Sequence, residues 1–282
     1  MTLQAPVQPS SFGVVGLGQM AQALLEPWIA DGLISPATLC AVVGSEASRA
    51  RWAHSPLAGH ILQVGTDPAP AWRSQVVLLA VKPQQLETVA KDAAAISAES
   101  LEDPSEQLLI SVLAGVRLER LQRLFPTRTC VRAVVNTPAL VRSGLTALAW
   151  GQDPSPAQRD WLEQLFRRVG EVWALPEVQL DAFLALTSSG PAFVALVVEA
   201  LADGAVAAGL PRSLALPLAQ RTLAGTVALL EGKDLHPGQL KDMVSSPAGT
   251  TITGLRQLER SGLRSALLEA VLAAAERSRD LA

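Results

Sequence analysis

The chain has 282 residues, a formal net charge of −3, 49% hydrophobic residues and only 4% aromatics. That length exceeds what one hydrophobic core usually serves, so two domains are expected. A mildly acidic balance without a Lys/Arg block offers no footprint for nucleic acid, and apolar content carried by Ala, Leu and Val suits α/β and helical packing rather than a β sandwich.

Residues 1–10, "MTLQAPVQPS", have neither the basic start nor the apolar run of a secretory signal and read as a flexible tail. A cytoplasmic location is the expectation that goes with this. From residue 11 to about 175, short apolar runs alternate with helical patterns. Strands are predicted at Phe12–Val15, Thr38–Val43, Val76–Val81, Leu108–Leu113, Cys130–Val135, Leu145–Trp150 and Glu171–Leu175. Helices are predicted over Val116–Phe125, with Leu118, Leu121 and Leu124 on one face, and over Pro156–Val169. Such alternation implies a doubly wound, parallel α/β sheet of the Rossmann type.

The first strand runs into "GVVGLGQMAQALL" (13–25), a G-x-G-x-x-A pattern opening a helix. In the dinucleotide reading Gly16 makes the tight turn and Gly18 lets a pyrophosphate approach the backbone. Free N–H groups of Gln19 and Met20 meet the phosphates, and small Ala21 lets helix and strand pack closely. The same residues also fit a plain tight corner. Pro27 removes a main-chain bond from the helix and should kink or end it.

The second strand ends in "AVVGSEASRAR" (41–51). Ser45 with a nearby arginine, Arg49 or Arg51, would receive a 2′-phosphate. Glu46 would serve the NAD ribose if the register slips. NADPH is the expected coenzyme, with NADH as the other candidate. "GTDPAPAWRS" (65–74) is too short and Pro-rich for a crossover helix and should be a loop or a single turn. The run "LLAVKP" (78–83) then carries Ala80, Val81, Lys82 and Pro83 to the end of a buried strand, where open α/β sheets bind ligands. A surface lysine beside a loop proline fits these residues equally well.

From residue 176 to 282 helical patterns follow one another, punctuated by "GLPRS" (209–213), "EGKDLHPG" (231–238) and "SSPAGTT" (245–251). This second domain should be all-helical. Its most apolar stretch, "PAFVALVVEALADGAVAAGL" (191–210), carries Glu199 and Asp203, either of which is costly at the centre of a bilayer. It reads as a buried or subunit-facing helix. In "SSPAGTT", Pro247 and Gly249 shape a loop that opens the next helix near Thr250 or Thr251, and its N–H groups and hydroxyls suit a carboxylate. An ordinary N-cap made by Ser246 or Thr250 is the plainer alternative.

The two cysteines, Cys40 and Cys130, and the three histidines, His54, His60 and His236, lack metal-type spacing. Reduced thiols and no catalytic metal are expected, and His236 reads as a loop residue. The six tryptophans are scattered and should pack rather than stack on ligands.

Together with "SVLAGV" (111–116), "NTPALV" (136–141), "SSGPAFVALVVEALADGAVAAGLPR" (188–212) and "LKDMVSSPAGTTITGL" (240–255), these motifs resemble the pyrroline-5-carboxylate reductase family from about Phe12 onward. The resemblance implies NADPH-dependent reduction of 1-pyrroline-5-carboxylate to L-proline. It places Ser246, Gly249, Thr250 and Thr251 against the substrate, with Thr251 as the catalytic hydroxyl at the imine nitrogen. It also implies a homodimer interlocked through the helical domain, with the substrate loop of one subunit near the cofactor of its partner, and larger rings of such dimers. The chain departs from the family pattern at Val134–Val135, where Met-Pro is usual, at Phe193, where Tyr is common, and at Ala248, where a glycine is usual. Ala248 bears most on the substrate loop. Two other readings stay open at this point. One is a related imine or β-hydroxyacid reductase, the latter relying on a lysine for which only Lys233 and Lys241 are available after Lys91. The other is an NADPH-binding protein without turnover.

Overall fold

A computed structural model describes residues 9–55, 57–61, 63–96, 107–151 and 154–281. It divides into two compact units, one running to Ser188 and taking in the chain from Ala275 onward, the other Ser189–Ala274.

The first unit is built on eight strands among the described residues: β1 (Phe12–Val15), β2 (Leu39–Val42), β3 (Gln63–Gly65), β4 (Val76–Leu79), β5 (Leu108–Ser111), β6 (Thr129–Val135), β7 (Gly144–Trp150) and β8 (Gly170–Ala174), in the order β3-β2-β1-β4-β5-β6-β7-β8. β1 pairs in parallel with β2 (Phe12 opposite Leu39) and with β4 (Phe12 opposite Val76). The winding therefore reverses at β1, and its carboxyl end is the switch point where such sheets open a crevice. β1, β4 and β5 are buried at every position, as strands covered on both faces must be.

Helices α1 (Gln19–Ala30), α2 (Glu46–Trp52), α3 (Ala69–Trp72), α4 (Leu86–Ile96), α5 (Leu118–Leu124), α6 (Pro156–Arg167) and α7 (Leu180–Thr187) complete this unit. Trp28 of α1 and Phe166 of α6 meet edge to face, their rings 5.3 Å apart, over one side of the sheet. Trp72 of α3 stacks on Phe125 at 5.4 Å over the other. Ring pairs of this kind add about 0.5–1.5 kcal/mol to the burial of the rings themselves. α1 continues through Pro27 and stops at Ala30, so the proline is tolerated in the last turn. α3 is the single turn that the Pro-rich segment predicts.

Three local readings need correction. The strand expected to reach Val81 ends at Leu79: the Ala80 N–H still donates to Val15 O at 2.9 Å, but Pro83 then turns the chain into a short 3-10 helix, Pro83–Gln85. β3 carries too few residues to show a period in sequence. β7 runs antiparallel to β6, because the link between them, a 3-10 turn at Thr137–Val141, is far too short for a parallel crossover.

Arg128 is buried beneath the sheet, donating to Ser74 O at 3.1 Å and to Trp72 O, with its guanidinium over the Trp72 ring. Burial pulls its pKa down to about 10 and pushes the neighbouring Cys130 thiol up to about 12. Both cysteines are free thiols.

The second unit is helical: α8 (Gly190–Ala207), α9 (Arg212–Gly232), α10 (Pro237–Met243), α11 (Thr250–Arg260) and most of α12 (Leu263–Asp280), whose last turn belongs to the first unit. α8 and α9 pack through small residues, Ala202, Ala215 and Ala219. Their outer faces leave large side chains open, among them Leu196 at 66% and Leu214 at 53% exposure. These are not the core helices of one chain. By length and composition alone, Glu177–Ala207 and Arg212–Gly232 are also apolar enough to cross a membrane. His236 lies in the loop before α10, as expected, and serves as the N-cap of that helix, its Nδ1 accepting from the Gly238 N–H at 3.1 Å.

Candidate functional site

At the carboxyl ends of β1, β2 and β4 lies a cleft of ≈ 960 Å³. That is the size of a cofactor site. Its floor is the turn from β1 to α1. Gly16 has φ +94 and donates its N–H to Val42 O at 3.0 Å, tying the turn to β2. A Cβ there would lie 2.8 Å from Ala80 O and 3.0 Å from Val81 Cγ1, so the corner between β1 and β4 closes only around a glycine. Gly18 differs: a Cβ on it would meet nothing within 4 Å, leaving its backbone open to the cleft.

Gly18 is also the N-cap of α1, with no side chain capping the helix and no acid in the first turn. The leading N–H groups of α1, from Gln19 onward, therefore have no intrahelical partner and present positive potential to the cleft. An open backbone position, an uncapped helix start and a cleft of this volume fit the pyrophosphate of a dinucleotide.

Of the residues singled out in the sequence, Gly16, Gly18, Gln19, Ser45, Ala80, Val81 and Lys82 line the cleft. Two others singled out there, Met20 and Pro83, do not. Met20 turns its side chain onto the core, leaving only its main chain toward the helix start, and Pro83 starts the 3-10 turn without reaching the wall. That turn instead brings Gln85 to the cleft, where its Oε1 accepts from the Lys82 N–H at 3.3 Å. Ser48, Arg51 and Thr66 join the wall as well. Arg51 is one of the arginines expected at this end, whereas Thr66 follows a strand with no legible pattern.

Glu46 is not on the wall. Its carboxylate accepts from Arg49 Nε at 2.6 Å and from Thr66 Oγ1 at 3.2 Å. The hydrogen bond from Arg49 is the main reason its pKa lies below the usual carboxylate range.

In the helical unit, the loop 245–249 leads into α11. Gly249 is its N-cap, and here too no side chain caps the helix. Ser246 and Thr250 are exposed, and Thr251 is half-buried. The plain N-cap reading of this loop therefore fails: Ser246 accepts the Gly249 N–H with its carbonyl at 3.0 Å, and the first N–H groups of α11 stay open. A Cβ on Gly249 would lie 2.2 Å from Ser246 Oγ.

The chain is 42% identical to a pyrroline-5-carboxylate reductase of Synechocystis sp. over 269 residues, 95% of this chain and 97% of the relative. It belongs to the pyrroline-5-carboxylate reductase family. The soybean (Glycine max) pyrroline-5-carboxylate reductase is 37% identical over 98% of this chain and 97% of its own length. The family description "Pyrroline-5-carboxylate reductase dimerisation" matches residues 177–281, and "NADP oxidoreductase coenzyme F420-dependent" matches residues 11–115. Among solved structures, the Plasmodium falciparum pyrroline carboxylate reductase with NADP bound superposes with a TM-score of 0.83 at 27% identity, covering 96% of this chain and 97% of that one.

Ala248, where the sequence resemblance leads to the expectation of a glycine, sits in the loop 245–249. Its φ is +55, in the left-handed region, so the loop keeps a glycine-like path while carrying a side chain. That side chain points to solvent.

Proposed function

We propose that this protein reduces 1-pyrroline-5-carboxylate to L-proline with NADPH, closing proline biosynthesis in the cytoplasm. The observation that carries this reading is the full-length likeness to pyrroline-5-carboxylate reductases in a chain with two uncapped helix starts, one in the nucleotide cleft and one in the substrate loop.

When bound, the reduced nicotinamide would supply a hydride to the imine carbon, so that C=N becomes a C–N single bond with one new C–H while the nitrogen keeps the proton it carried as the iminium. Gly16 and Gly18 shape the turn, and the N–H groups of Gln19 and Met20 hold the pyrophosphate. Ser45 takes the 2′-phosphate. Ala80, Val81 and Lys82 border the coenzyme where β4 ends, and Pro83 turns the chain behind them. The open N–H groups at Thr250 and Thr251, with the Ser246 hydroxyl, hold the substrate carboxylate, and Gly249, its own N–H turned to the Ser246 carbonyl, shapes the loop around it. The Thr251 hydroxyl orients the imine nitrogen. No strong acid is required, because the imine is basic enough to enter as its iminium, so the protein positions two rings and excludes water.

The exposed apolar residues of α8 and α9, such as Leu196 and Leu214, are covered by a second copy of the chain in a homodimer, and rings of such dimers are the larger assembly.

The test is NADPH oxidation by purified protein with and without pyrroline-5-carboxylate, with proline measured as product. Substrate-dependent oxidation yielding proline is expected, with Thr251→Ala severely impaired. Coenzyme binding without oxidation by the unmodified chain refutes the reductase reading, and wild-type kinetics in Thr251→Ala removes that residue from the mechanism.

A further inference from the structure

One short helix beside the cleft carries both signs of charge, and the structure sorts them. Ser45, Ser48 and Arg51 of this region line the cleft, whereas Glu46 and Arg49 do not. The Ser45 and Ser48 hydroxyls are 3.1 Å apart, and Arg51 Nη2 donates to Ser48 Oγ at 3.1 Å. Two hydroxyls and a guanidinium thus form a continuous row suited to phosphate oxygens. Glu46 directly follows Ser45, and its carboxylate would spoil this row by repelling a phosphate. Both of its oxygens are instead engaged elsewhere: Arg49 Nε donates to Oε2 at 2.6 Å and Thr66 Oγ1 donates to Oε1 at 3.2 Å. The two donors come from different parts of the chain, α2 and the loop after β3.

We propose that Arg49 and Thr66 are positioning residues for coenzyme choice: they hold the Glu46 carboxylate off the ribose end of the cleft, which keeps it a site for the 2′-phosphate of NADPH. This rests on the coenzyme site proposed above. The chemistry is a trade. A carboxylate beside the ribose accepts from a 2′-hydroxyl and favours NADH, while the same group beside a 2′-phosphate repels it. Releasing Glu46 therefore moves preference from one coenzyme toward the other. Solvent-exposed ion pairs contribute little to stability, so cutting this one leaves the fold intact and acts on selectivity.

The experiment compares the unmodified chain, an Arg49→Ala/Thr66→Val variant and the same variant with Glu46→Gln added. KM and kcat are measured for NADPH and NADH at saturating pyrroline-5-carboxylate, with coenzyme binding followed by nicotinamide fluorescence. In the double variant KM for NADPH should rise and KM for NADH fall, shifting their ratio by about tenfold. Adding Glu46→Gln should restore the NADPH preference, because the amide carries no charge to repel phosphate.

A merely structural role for Arg49 and Thr66 would raise both KM values together and would not be rescued by Glu46→Gln. That pattern, or an unchanged ratio in the double variant, overturns the proposal while leaving the coenzyme site standing. If the unmodified chain binds neither coenzyme, the site itself is wrong and this inference falls with it.

Discussion

Replacing Ala248 by glycine isolates the backbone conformation of the loop before α11 from everything else around it. The residue has φ +55 and an exposed side chain, so removing Cβ alters almost no packing. An L-residue in the left-handed region costs about 1–2 kcal/mol, and glycine gives back roughly 0.4–1 kcal/mol through the greater freedom of its unfolded chain. The net expectation for Ala248→Gly is a gain of about 0.5–1 kcal/mol, or about 1–4 °C in Tm for a chain of this size. Ala248→Val should move the other way by more than about 1 kcal/mol, because a β-branched residue at this φ is a steric outlier. Scanning calorimetry at one fixed protomer concentration reads both variants, since association makes Tm concentration-dependent. KM for pyrroline-5-carboxylate should change by less than about twofold in the glycine variant, because the path of the loop is already the one glycine takes. A glycine variant less stable than the parent, or a valine variant equal to it, would mean that the loop does not hold Ala248 in the left-handed region.

Gly16→Ala should weaken NADPH binding by at least about tenfold, because the added Cβ has no room against Ala80 O at 2.8 Å. Unchanged affinity in a fluorescence titration would refute the role given to this turn. The two thiols should separate with a thiol reagent at mildly alkaline pH: half-buried Cys40 reacts in the native state, and Cys130 only on unfolding. Because the folded pKa of Cys130 is raised, from 9.0 to about 12, its contribution to stability is full below the lower value and is lost as pH rises through the upper one. Equal native reaction rates for both thiols would contradict that burial.

The stretch from Phe12 to Ala30 was legible because each of its signals is local. An apolar run makes β1, Gly16 supplies a positive φ, and the helix begins where the glycines end. The same holds for α11, which begins at Thr250 directly after the Pro- and Gly-bearing loop. β3 was not legible, since Gln63–Gly65 is an edge strand whose extended shape comes from pairing with β2 rather than from a pattern of its own. The antiparallel course of β7 was likewise invisible in its apolar run, which reads the same in either direction.

The sequence by itself determined the alternating domain, the all-helical domain after it, the glycine turn that opens α1 and the Pro- and Gly-bearing loop that opens α11, because residue type and short spacing suffice for these. Only the tertiary structure decided that Ser48, Thr66 and Gln85 meet at one cleft, that the Glu46 carboxylate is tied to Arg49 and Thr66 rather than lining it, and that large apolar residues of α8 such as Leu196 lie open rather than in a core. Those outcomes depend on strand order and on which faces are left uncovered, and residues far apart along the chain carry no local mark of either.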